Sequence, residues 1–154
     1  MAKTKINYDL LSYLPEHLET VKGQDILVDE YGMGAFSMVV VEDMELKDVQ
    51  KLEEQFSKVP HVKDVLWYDD AADITLPVEM LPSDLRKAFF NGDATMMLAL
   101  FDNTTSSDEA MNAVSQMREI TDKQCFISGM TGVVTDIKNI SLQELPIYIV
   151  IAVM

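Results

Sequence analysis

The chain has 154 residues, a length for one domain with appendages, and its 48% apolar content is enough to build a core. Against 12 basic residues stand 26 acidic ones, for a net charge of −14. That balance excludes nucleic acid and excludes charge-driven docking on anionic lipid, both of which need clustered Lys and Arg.

The acidic residues are scattered rather than blocked, the pattern of a solvated surface. The single cysteine, Cys125, has no partner for an internal disulfide. The opening Met1-Ala2-Lys3-Thr4-Lys5 is polar and short, without a signal-peptide core.

In chain order, residues 7–15 are mixed, with apolar Tyr8, Leu10, Leu11, Tyr13 and Leu14, and Pro15 disfavours helix just before it. A helix is expected over residues 20–31, with Thr20 as its cap and Gly32 at its left-handed end. Residues 36–42, rich in valine, read as a strand. Asp43 is placed to cap a second helix, whose Leu46, Val49, Leu52, Phe56 and Val59 recur every three or four residues until Pro60 stops it. Residues 62–68 read as the second strand.

A long connection over residues 69–92 follows. It opens on acidic residues, is broken by Pro77 and Pro82, and holds a short helix over 83–90 and a turn at Asn91-Gly92-Asp93. Residues 94–101 form a third strand. Ser106-Ser107-Asp108-Glu109 is a capping box for a helix that runs to about residue 121. A fourth strand spans 124–128, and a last helix from about residue 131 leads to the apolar run Leu145-Pro146-Ile147-Tyr148-Ile149-Val150-Ile151-Ala152-Val153-Met154. Helix is expected there from residue 142, with Ser141 as cap and Pro146 in an early turn. The run, ten residues, is about half of the ~20 apolar residues that span a bilayer, and is read as the first turns of a transmembrane helix.

The core order β-α-β-β-α-β predicts an α+β, ferredoxin-like sandwich: a four-stranded antiparallel sheet with two helices on one face. Three parts are expected: residues 1–34 as an N-terminal segment and helix, 35–128 as the sandwich, and 129–154 as a linker helix and the start of a membrane helix. Residues 38–41 and 96–101 are unbroken apolar runs, so both faces of those two strands carry apolar groups. The face without helices is therefore expected to be covered by something: the 69–92 connection, the N-terminal segment, or another domain or copy.

Asn7-Tyr8-Asp9-Leu10 with Tyr13-Leu14-Pro15-Glu16 resembles the segment just outside the first transmembrane helix of MMPL-type resistance-nodulation-division (RND) transporters. Val65-Leu66-Trp67 before an Asp-rich stretch, and residues 74–82, are similar to the middle of that family's first exported domain. Ser128-Gly129-Met130, Thr135-Asp136 and Glu144-Leu145-Pro146 are similar to its approach to the second transmembrane helix. The resemblance implies an extracytoplasmic porter domain of a proton-driven exporter of lipids, drugs or other amphiphiles. It implies a cell-membrane location and a second porter domain or neighbouring subunits as partners. The family's proton relay lies in membrane helices outside this chain.

No catalytic constellation and no cofactor site is evident, so a non-enzyme is expected. Asp69, Asp70 and Asp73 offer oxygens to Ca²⁺, but without the spacing of a calcium loop, and no metal is expected. His17 and His61 have no zinc spacing. Cys125 reads as a small buried thiol, and Gly32-Met33-Gly34 lacks the rest of a phosphate loop. The 11 methionines read mainly as core filling. Trp67 and Tyr68, at a strand end, are the aromatic pair set out for amphiphile contact, against ordinary core packing. Two competing readings are a free-standing ferredoxin-like ligand-binding or regulatory module that dimerises through its sheet, and a small acyl-phosphate hydrolase, for which Arg86 and Arg118 are the available arginines.

Overall fold

The structure, a computed structural model, describes residues 13–15, 17–30, 32, 34–70, 78–121 and 123–154. The expectations placed on residues 1–12 and 71–77, Asp73 among them, lie outside the described residues.

The chain is α+β. Its elements are α1 (Glu19–Asp29), β1 (Ala35–Glu42), α2 (Leu46–Phe56), β2 (Val62–Leu66), α3 (Ser83–Phe89), β3 (Phe90–Asn91), β4 (Ala94–Phe101), α4 (Asp108–Ile120), β5 (Cys125–Ser128) and α5 (Met130–Val153). All pairings are antiparallel, in the order β2-β4-β1-β5. The sheet has five strands, not the expected four, because β3 pairs with β4. Residues 90 and 91 had been assigned to the end of a helix and to a turn. They instead form one arm of a hairpin closed by Gly92 at φ 62° and Asp93. Glycine supplies the positive φ such a tight turn needs.

β1 and β4 pair over their full eight residues. Ala35, Ser37, Val39 and Val41 are buried, as are Thr95, Met97, Ala99 and Phe101 opposite them. On this face α2 contributes Val49, Leu52 and Phe56, and α4 contributes Ala110, Ala113, Val114 and Met117, to one continuous core. The 3.6-residue spacing of these apolar positions is what turns each helix toward the sheet. Leu81, with Val78, Phe89 and Phe90 packed beside it, extends the core at the same side. The described residues of the connection between β2 and β4 thus join the helix layer.

The opposite face is apolar and open. Phe36, Met38 and Phe126 are 52%, 41% and 53% exposed, and Val40, Leu66, Met96, Leu98 and Leu100 are partly exposed. The pairings set these side chains in three adjacent rows across the sheet: Leu100–Phe36, Leu66–Leu98–Met38 and Met96–Val40–Phe126.

Two glycines are required by local geometry. A Cβ on Gly34 would collide with the Asn103 backbone carbonyl, so the chain passes there only without a side chain. Gly129, at φ 115°, turns β5 into α5 against the β1 backbone at Phe36 and Ser37.

α1 begins one residue before Thr20, with Leu18 rather than Thr20 at its cap position. Likewise Glu45, not Asp43, precedes α2. α4 is capped one residue later than the expected box: the Ser107 hydroxyl accepts from the Ala110 N–H at 3.1 Å, and with Ala110 rather than Glu109 at the third helical position the reciprocal half of a capping box cannot form. α5 is one helix from Met130, so Ser141 starts nothing and Pro146 sits inside it. Proline there forfeits a bond to the carbonyl four residues back, and water can satisfy that carbonyl because the segment is exposed. Early in α5, Thr131, Gly132, Val134 and Thr135 are buried, and Asp136 and Lys138 pair with Arg118 and Asp108 of α4. Every residue from 142 to 154 is exposed. This end of α5 therefore projects by roughly 18 Å at the helical rise.

Charge substitutions test the assignment of faces. Val39→Asp, which buries an unpaired carboxylate, is expected to cost about 4 kcal/mol or more. Val40→Asp, on the open face, is expected to cost about 1 kcal/mol or less. Urea unfolding measures both; equal losses would contradict the register.

Candidate functional site

β2 ends at Leu66, and the chain closes into a short 3₁₀ turn over Tyr68–Asp70. The Asp70 carboxylate accepts from the Trp67 backbone N–H at 3.0 Å and holds that turn. Trp67 follows the parity of Val65, so its ring enters the core. Its indole N–H donates to the Thr95 hydroxyl at 2.8 Å, which donates in turn to the Phe89 carbonyl at 3.0 Å. Tyr68 meets Trp67 edge-on at 4.5 Å and Phe90 at 5.0 Å. Trp67 is 1% and Tyr68 0% exposed. As placed, neither ring presents a surface to a ligand; together they lock the β2–α3 connection onto the sheet.

The same turn delivers Asp69 and Asp70 to Glu53 of α2, with carboxylate oxygens of all three within 4.8 Å of one another. The sequence reading grouped Asp69 and Asp70 but missed Glu53. The signal that could have found it is its place beside buried Leu52 on α2, where the edge of the apolar stripe meets the end of β2. Burial first, and then the charges of Asp69, Asp70 and Asp64, push the Glu53 carboxyl up to about 7. Burial and Asp70 also raise Asp69. Burial and the neighbouring charges thus favour the protonated form of Glu53. They also match the donor chemistry of a hard cation, yet they fall well short of the roughly six to eight oxygens that Ca²⁺ takes.

The other sequence candidates are dispersed. His17 is exposed ahead of α1. His61 lies at φ 70°, exposed, with Asp102 at 3.3 Å and Asn103 at 3.2 Å. Cys125 is half-buried against the core. Arg118 is engaged by Asp136 through two bonds of 2.5 and 3.1 Å, which removes it from the anion-binding role an acyl-phosphatase would need. Arg86 is exposed on α3. Methionine is divided: Met97, Met111 and Met117 are buried, whereas Met38, Met80 and Met130 are exposed.

A groove of about 480 Å³ opens between the start of α2 and the β3–β4 hairpin. Its apolar lining includes half-buried Met44, Val78 and Phe90, and its rim carries exposed Asp43, Glu79 and Asp93. This is the solvent-reachable counterpart of the aromatic cluster: Phe90 belongs to both.

The acidic trio makes stability pH-dependent. Because folding raises the Glu53 pKa, its contribution is fully present below the unfolded value of 4.5 and is lost as the pH rises through about 7. Full linkage would be about 3 kcal/mol, reduced by solvent screening at this partly exposed site to about 1–2 kcal/mol. Glu53→Gln is expected to remove that loss between about pH 5 and about pH 8 in urea unfolding, making the variant the more stable form at the higher pH. A wild-type protein that gains stability over this interval, or a variant with an unchanged profile, would contradict the placement.

No protein-family model matches the chain, and no curated protein matches it.

Proposed function

We propose that the chain is the extracytoplasmic porter domain of an RND/MMPL-type exporter, a ferredoxin-like unit that contributes to substrate passage and to contacts with a second porter domain. The order β2-β4-β1-β5 with β3 set aside, and α2 and α4 on one face, supports the ferredoxin-like reading. The observation that carries the proposal is the end of α5. Leu142, Leu145, Ile147, Tyr148, Ile149, Val150, Ile151 and Val153 stand in water on a helix that has left the domain. No helix of the described residues is long and apolar enough to cross a membrane; the exposed end has the composition of the start of such a helix. The domain is a non-enzyme in this reading. The groove beside Phe90, apolar below and acidic at the rim, is the surface an amphiphile would touch, while Trp67 and Tyr68 support it from behind.

A second reading, a free-standing module that dimerises through its sheet, is favoured by the open apolar face alone.

The natural open reading frame tests the first reading. Codons for about ten or more further apolar residues after Met154, completing a span of ~20, are expected. A stop codon at that point, or a charged segment, would contradict it. Co-flotation with neutral phosphatidylcholine vesicles is a second check: it is expected for the chain and lost in Ile149→Asp/Ile151→Asp, since the net charge of −14 offers no electrostatic route to a membrane.

A further inference from the structure

The open face of the sheet has the composition of a protein interface. Eight apolar side chains occupy three successive rows on four strands. No charged residue interrupts the middle of the patch. Asp64 stands at the end of the Leu100–Phe36 row, and Glu42 lies one row beyond Val40. At the usual strand rise and spacing the three rows cover roughly 400 Å² in projection. That is within the range of ~300–600 Å² seen for the largest apolar patch on a monomer, which is often functional.

We propose that this face binds the same face of a second copy of the chain, forming a two-fold, sheet-on-sheet dimer. Three observations favour a second copy. First, the patch is self-complementary: it is apolar from β2 to β5, so a two-fold rotation sets apolar rows on apolar rows and buries no charge at the centre. Second, the area suits a reversible dimer. With its rim, the contact buries roughly 1,000 Å² in total, the lower bound for a specific interface and the size range of weak, reversible contacts. Third, stacked sheets pack about 10 Å apart with interdigitated side chains, and the mixture of Phe, Met, Leu and Val can fill such a layer. The proposal rests on the second reading above and names its face and partner; the reading frame past Met154 tests the transporter reading, so the two fail separately.

Because each copy carries −14, the dimer is driven by apolar burial against charge repulsion, so added salt should tighten it. The test is sedimentation equilibrium of the full chain over roughly 1–200 μM, the range in which weak, reversible dimers form. A monomer–dimer equilibrium is expected, tightening several-fold between about 0.05 and 0.5 M NaCl. Leu98→Glu, in the middle row, should weaken dimerisation by about 30-fold or more at unchanged far-UV circular dichroism. Phe36→Glu, at the more exposed end of β1, should do the same if Leu98→Glu fails to fold. A chain that stays monomeric throughout would overturn the proposal. So would a dimer that loosens with salt, which would mark a charged contact. Association that survives both sheet variants but disappears in Ile149→Glu/Ile151→Glu would place the contact on α5 and overturn it equally.

Discussion

The structure depends on the full-length antiparallel pairing of β1 with β4, and on a property of strands: successive side chains point to opposite faces. Both strands are apolar at both parities. A single layer of helices can cover only one face, and α2 and α4 cover the face of Val39, Val41, Met97 and Phe101. Val40, Met38, Leu98 and Phe36 are then left outward by geometry rather than by composition. Each large apolar side chain kept in water forgoes roughly 1.5–3 kcal/mol of burial. The domain is thus built around one satisfied face and one unsatisfied one.

The helix layer was legible because helical periodicity names its own buried face. Val49, Leu52 and Phe56 identify the inner side of α2 without any knowledge of the sheet. The strands are different. An unbroken run such as Met38-Val39-Val40-Val41 says that both faces are apolar but not which one meets the helices; that choice is settled by the register with β4 and β5. The fifth strand was not legible for a related reason. Phe90 continues a short helical pattern and Asn91 opens a turn signal, and only pairing with Thr95 and Ala94 across the Gly92 turn makes them strand. The helix starts were misplaced by a residue or more where flanking residues stand in for a side-chain cap, as at Leu18 and Glu45.

The candidate site was half legible. Asp69 and Asp70 are near neighbours in sequence and group there with Asp73, which lies outside the described residues. Glu53 joins them only because the 3₁₀ turn after β2 lies against α2. Trp67 and Tyr68 drew notice as aromatics at a strand end, where amphiphile contact and core packing look alike in sequence. The turn that Asp70 holds swings both rings inward, and the Thr95 hydroxyl satisfies the indole N–H that would otherwise hold Trp67 near water. One three-residue turn therefore sets the acidic trio and the aromatic lock together.

The division of the sheet into a closed and an open face is the claim on which the reading of the surface rests. Methyl NMR with a soluble nitroxide, at a dilution where sedimentation shows only the monomer, tests it most directly. The Val40 and Leu98 methyls, with those of Met38 and Met96, should broaden strongly, while those of Val39, Val41 and Met97 stay sharp. Equal protection of Val39 and Val40 at that dilution, or broadening of Val39 in place of Val40, would contradict the account.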